Sequence, residues 1–185
     1  MRRRSPLIAV ALIAALVTLS APLAAQQGFM AVMHRDINDV QKKVLDLANA
    51  IPESAYGWRP GAGVRSIGEV LQHIAADNYI LPVYMGTPAP ASTGITADYA
   101  TAVTYETRRG LTKAQIIAEL TASFTHLHGA INTNTDANLT QQISWFGQQN
   151  TRLQAMTGTV GHLHEHLGQL IAYARSNNVK PPWSN

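Results

Sequence analysis

The stretch "VGHLHEHLGQLIAYA", residues 160–174, places His162, His164 and His166 within five positions of one another. Imidazoles bind metal ions and move protons near neutral pH, so their spacing decides which of them can act together. On a helix, residues four apart share a face, whereas residues two apart point about 200° away from each other. His162 and His166 therefore form a pair able to converge on one ion at about 2.0–2.1 Å. His164 is the odd one out.

Two rows compete for the inward face of this helix. The apolar row is Leu153, Met156, Val160, Leu163, Leu167, Leu170 and Ile171, and His164 lies nearer its centre than His162 does. The second row reads Ala155, Thr159, His162, His166, Gln169 and Tyr173. It carries no Lys, Arg, Asp or Glu, which is unusual for a solvated face, and its small residues permit close approach of a neighbouring helix. We read it as an inward polar row.

The pair needs a third ligand. With no cysteine in the chain, any metal must be held by His, Asp or Glu. The candidates are His34, His73, His126 and His128. His73 sits in "EVLQHIAADNY", beside the Val70, Leu71 and Ile74 stripe and in line with Asp77 and Tyr84. His126 and His128 lie two apart, so only one of them could share an inward site. The residues alone leave the choice open. Glu165, Asp77 and Trp145 are further candidate pocket residues.

Four helical segments are expected to position these groups, separated by loops rich in Pro, Gly, Thr and Asn. The first runs from about Phe29 to Ala50, with Ile37, Val40, Val44, Leu47 and Ile51 at helical spacing before Pro52 ends it. The second opens at "SIGE", where Ser66 and Glu69 form a capping box, and continues until Pro82 kinks or ends it. The third begins at the Thr112/Gln115 box and carries Ile116, Leu120, Phe124, Leu127 and Ile131. The fourth starts near Thr151 and Gln154 and runs to about Ser176, closed by "NNVKPP". Strand signals are weak. The pattern predicts an all-α four-helix bundle.

The stretch from about Gly86 to Leu111 is long for a connection between antiparallel neighbours, which usually takes about 2–8 residues. A helix of about 20 residues is roughly 30 Å long, and this connection can travel that distance. Helices two and three are therefore expected to run parallel, joined by a crossover.

Taken in order, "YGWRPGAGVRSIGEVLQHIAADNYILPVYMG" (56–86) and "GHLHEHLGQLIAYARSNNVKPP" (161–182) resemble the DinB-like superfamily of metal-binding four-helix bundles. The first half of that pattern is matched by Arg59, Pro60, Gly63, Arg65, Ser66, Gly68, Glu69, His73 and Ala75. The second half is matched by His162, His166, Gly168, Gln169, Tyr173, Arg175, Pro181 and Pro182. The resemblance implies that His73, His162 and His166 bind one divalent metal, commonly nickel or zinc, and that the middle helices are parallel. Some members of the family are transferases or isomerases that use low-molecular-weight thiols, and many have no known reaction.

The N-terminus carries a separate message. Arg2, Arg3 and Arg4, the apolar "LIAVALIAALV" and the small residues of "APLAA" read as a secretory signal peptide over residues 1–25, cleaved near Ala25. Its apolar core is short for a bilayer span of about 20 residues. Residues 26–185 are then one domain, long enough to bury a sizeable core. Three of the 14 Lys and Arg lie in the signal segment, which leaves 11 to balance 11 Asp and Glu. The pI of about 9.4 is thus mostly a property of the leader. No clustered basic surface of the kind nucleic acids require is visible. The expected location is the periplasm or outside the cell. The expected partner is a small-molecule substrate, with no nucleic acid, no membrane after cleavage, and at most a second copy of the chain in a homodimer.

These features support a metal-dependent enzyme of hydrolase or transferase type, or else an exported metal-binding protein without catalysis. Export disfavours thiol transfer, because such thiols are scarce outside the cytoplasm. A third reading takes His162-Leu163-His164-Glu165-His166 as an H-x-x-E-H metallopeptidase motif with Glu165 as general base. It lacks a downstream acidic ligand, since no Asp or Glu follows Glu165.

Overall fold

The computed structural model describes residues 28–184; the expected signal peptide lies outside them. Helix α1 (Phe29–Ala50) buries Ile37, Val40, Val44 and Leu47, which with the buried Ile51 form the row expected from their spacing, and Met33 in addition. Its start is capped from a distance. Gly28 provides no side chain, and Oδ1 of Asp136 accepts a hydrogen bond from the Met30 amide at 2.9 Å. Helix α2 (Ile67–Tyr84) opens with the Ser66/Glu69 capping box and ends two residues beyond Pro82.

Helix α2 is the central element. Nearly every residue from Ile67 to Pro82 is buried, because neighbours cover it on several sides. A helix apolar all round belongs in the interior, and the polar residues it carries there must find partners. Asn78 does so by donating to Oγ of Ser123 at 3.0 Å. His73 and Asp77 have a different use.

The expected connection between the second and third long helices is not loop throughout. It contains a short helix α3 (Tyr99–Glu106), capped by Asp98 and packed on α2. Its sequence, "YATAVTYE", is rich in β-branched and aromatic residues with modest helix propensity, so tertiary packing rather than local preference makes it helical. Helix α4 (Lys113–Ile131) follows, opened by the Thr112/Gln115 box. At its start Lys113 donates to the carbonyls of Asn49 and Ile51, each at 2.7 Å, at the end of α1. Ser123 meets Asn78 at matching depth in α2. Helices α2 and α4 are therefore parallel, joined by the crossover.

A β-hairpin precedes the last helix, a departure from the expected helix-and-loop reading. Strand β1 (Gln142–Trp145) pairs antiparallel with β2 (Gln148–Thr151), with Trp145 opposite Gln148. Phe146 and Gly147 both take left-handed backbone, with φ of 50° and 77°, as a two-residue primed hairpin turn requires. The second strand, "QQNT", is polar throughout and so carries no alternating signal. Helix α5 (Arg152–Ser176) then runs antiparallel to α2. Arg152 at its start bonds the carbonyl of Met85 at 2.8 Å, and Tyr173 near its end packs edge-on against Trp58 at 5.2 Å. Phe124, Ile37, Leu47, Ile74, Leu120 and Met156 fill the fully buried core between the four long helices. Among the described residues no helix is long and apolar enough to cross a membrane.

Candidate metal centre

His73 enters the site from the middle of α2, and His162 and His166 enter one turn apart on α5. The three residues each offer a nitrogen, and these ligand atoms all lie within 4.8 Å of one another. The rings stand nearly perpendicular in pairs. Centroid separations are 5.2 Å for His73 and His162, 4.7 Å for His73 and His166, and 4.3 Å for His162 and His166. His73 and His166 are 5% and 7% exposed, while His162 is half-buried at the rim.

Each buried imidazole is oriented through its outer nitrogen. Nδ1 of His166 lies 2.8 Å from Oε1 of Gln169, whose amide donates to the Tyr173 hydroxyl at 2.9 Å. With Nδ1 donating, Nε2 of His166 keeps its lone pair, and that atom is buried with no hydrogen-bond partner among the described residues. Burial pushes the His166 pKa down to about 4, the coulombic effect of the other two histidines adding to it, so the ring is neutral, as a ligand must be. Nδ1 of His73 is hydrogen-bonded to Oε2 of Glu106. Arg65 holds the other oxygen of that carboxylate at 2.9 Å. Burial alone would raise the Glu106 pKa, but the hydrogen bonds with His73 and Arg65 outweigh it and hold the group below its usual range.

Asp77 lies one turn beyond His73 on α2. Its Oδ2 is 2.5 Å from Nε2 of His162 and 3.2 Å from Nε2 of His73, and its Oδ1 is buried without a partner among the described residues. Two partnerless buried atoms, one lone-pair nitrogen and one carboxylate oxygen, thus belong to the same cluster. Such atoms are costly unless something satisfies them. A divalent cation among three imidazoles and a carboxylate fits this donor set.

The other histidines stand outside the group. His164 is exposed and faces Asp36 at 2.9 Å. His126 is half-buried against the Tyr79 ring at 5.4 Å, and Nε2 of His128 lies 2.6 Å from Oε1 of Gln41. His34 is half-buried on α1. Glu165 is exposed and does not line the pocket beside the cluster, where a peptidase's general base would be needed.

The cluster opens into a pocket of about 430 Å³, floored by His73, Asp77 and His162 and walled by Tyr99, Trp145 and Phe146, with Arg65 at its edge. Asp77 and Trp145 are thus pocket residues, as their positions beside the motifs had raised. Glu106, Tyr99 and Phe146 were not foreseen. No spacing rule connects position 106 to position 73; only the packing of α3 on α2 does. Arg65 could have been found, since it precedes the Ser66 cap that fixes the start of α2.

The family model described as the DinB superfamily matches residues 37–170. A DinB-like protein from Bacillus cereus superposes with a TM-score of 0.70 at 14% identity, covering 86% of this chain and 99% of that one. A DinB-like protein from Bacillus subtilis gives 0.61 at 15% identity, covering 82% and 96%. An uncharacterised Escherichia coli protein gives 0.62 at 16%, covering 83% and 96%. At these identities the likeness speaks to the fold alone. No protein of curated function matches the chain.

Proposed function

The chain belongs to the DinB superfamily, and from that premise we propose that it is an exported metal-dependent enzyme acting on a small molecule, its divalent ion held by His73, His162 and His166. The observation that carries this reading is the convergence of three imidazoles beside a pocket of about 430 Å³ that His73 and His162 line, with Nε2 of His166 buried and without a hydrogen-bond partner among the described residues. Nickel or zinc suits a centre of three nitrogen donors. Such an ion, when bound, polarises a substrate oxygen or acidifies a water at a position the protein leaves open. The chain's own residues supply the rest. Gln169 and Glu106 fix the ring orientations, and burial keeps His166 neutral. Asp77 places a carboxylate beside His73 and His162, where it offsets positive charge and can accept a proton.

The Arg-rich start, the short apolar core and the small-residue cleavage region support export to the periplasm or the medium. That location favours hydrolysis or another group transfer over chemistry with cytoplasmic thiols. Two measurements test the reading. Metal analysis of the purified native protein should find a divalent ion. The loaded and chelated protein are then screened against esters, lactones and thiol-electrophile pairs. Turnover by the loaded form alone supports the enzyme; a bound metal with no turnover leaves a metal-binding protein. N-terminal sequencing of the exported form should begin near Gln26, and an intact Met1 in a membrane fraction would overturn the export claim.

A further inference from the structure

Four aromatic rings gather beside the pocket from three separate elements, and three of them, Tyr99, Trp145 and Phe146, line it. Tyr84 ends α2, Tyr99 begins α3, and Trp145 and Phe146 form the tip of the hairpin. Their centroids form a continuous set: 5.8 Å between Tyr84 and Trp145, 4.8 Å between Tyr84 and Phe146, 5.8 Å between Tyr99 and Phe146, and 5.3 Å between Trp145 and Phe146.

Phe146 is hard to explain by stability. It is 48% exposed even though its ring meets Tyr84, Tyr99 and Trp145, so much of it stays open beside the pocket. Its backbone is left-handed with φ of 50°, a conformation that costs a bulky residue more than the Asn, Asp or Gly that such turns prefer. A strained residue presenting an apolar ring beside a polar floor is the pattern of a ligand contact. Gly158 is a second such position. It lies within α5, where glycine is a poor helix former, and a Cβ there would meet only Cζ2 of Trp145 at 4.0 Å. Packing therefore does not demand a glycine. Its effect is to leave a methyl-sized gap beside the indole, where the helix backbone itself lines the pocket.

We propose that this rim selects ligands that join a flat aromatic ring to an oxygen-donor head: the ring packs against Trp145 and Phe146 beside the Gly158 backbone, and the head reaches the floor of His73, Asp77 and His162. Aromatic walls favour a ring through offset and edge-on contacts beyond simple area burial, and a pocket of this volume holds one ring with a short polar substituent. The inference rests on the metal-binding reading, which supplies the anchor for the head.

The test uses zinc-loaded protein and three hydroxamates of equal head chemistry: benzohydroxamate, cyclohexanecarbohydroxamate and acetohydroxamate. Zinc binding is titrated first by calorimetry, then each hydroxamate. Benzohydroxamate should bind at least about 10-fold more tightly than acetohydroxamate and roughly 3–10-fold more tightly than the saturated ring, the range expected of aromatic contacts. Phe146→Ala, at an exposed position, should remove most of that preference and leave acetohydroxamate unchanged. Gly158→Leu should obstruct both rings and spare acetohydroxamate. If zinc does not bind, the metal reading falls and the ligand with it. If zinc binds but the three hydroxamates bind alike, if the saturated ring matches the aromatic one, or if the preference survives both variants, this inference alone is overturned.

Discussion

Nδ1 of His73 on α2 is hydrogen-bonded to Oε2 of Glu106, the last residue of α3, and the crossover thereby reaches into the three-histidine cluster. The long connection is more than a means of returning the chain to the far end of the bundle. It delivers the carboxylate that fixes the orientation of one imidazole, and Arg65, one residue before the cap of α2, holds that carboxylate in turn. Loss of such an orienting partner typically costs about 10–100-fold in metal affinity. Glu106→Ala should therefore weaken metal binding by about that factor, with Glu106→Gln intermediate because the amide oxygen still accepts. Competition against a chelating dye measures it. Unchanged affinity in both variants would mean that Glu106 serves the fold and not the site.

The metal-free protein should lose stability on acidification through His166. Its folded pKa of about 4 lies below its ordinary value of 6.5. Between these values the unfolded chain binds more protons than the folded one, so stability rises with pH across that window. The contribution is fully present above about 6.5 and is lost progressively as pH falls toward about 4. Melting temperatures of the chelated protein should therefore drop from pH 7 to pH 4, and His166→Gln should flatten part of that slope. An identical slope in the variant would show that burial of His166 does not govern acid sensitivity.

The start of α1 depends on a cap supplied from far along the chain. Oδ1 of Asp136 accepts from the Met30 amide, and a Cβ on Gly28 would lie 1.8 Å from Oδ2 of the same carboxylate. Asp136→Ala should cost about 0.5–2 kcal/mol, as loss of a helix cap usually does. Gly28→Ala should push the carboxylate away and cost a similar amount. Because both act on one contact, the double variant should be little worse than either single one. Denaturant melts of the three proteins check this, and additive losses would refute the shared mechanism.

Much of this architecture was legible in the residues. The three boxes Ser66/Glu69, Thr112/Gln115 and Thr151/Gln154 all close as capping boxes, because their chemistry is local and needs no tertiary context. The pairing of His162 with His166, and the exclusion of His164, follow from helical geometry alone. The residues did not by themselves choose the third histidine. That choice came from the family resemblance, and the structure brings His73 into the group. What stayed hidden was whatever depends on packing. Helix α3 has weak propensity, β2 has no alternation, and Glu106, Tyr99 and Phe146 approach the cluster and its pocket from elements whose placement is set by distant contacts.

The central claim is that His73, His162 and His166 hold one ion and His164 does not. Metal content per chain, measured for the wild type and the four single alanine variants purified in parallel, tests it most directly. A folded-state ligand also stabilises by mass action, so chelator should lower the melting temperature wherever metal is bound. The wild type and His164→Ala should carry the metal and respond to chelator. His73→Ala, His162→Ala and His166→Ala should lose most of the metal and that response. Full metal content in all four variants, or loss in His164→Ala with retention in His162→Ala, would contradict the account.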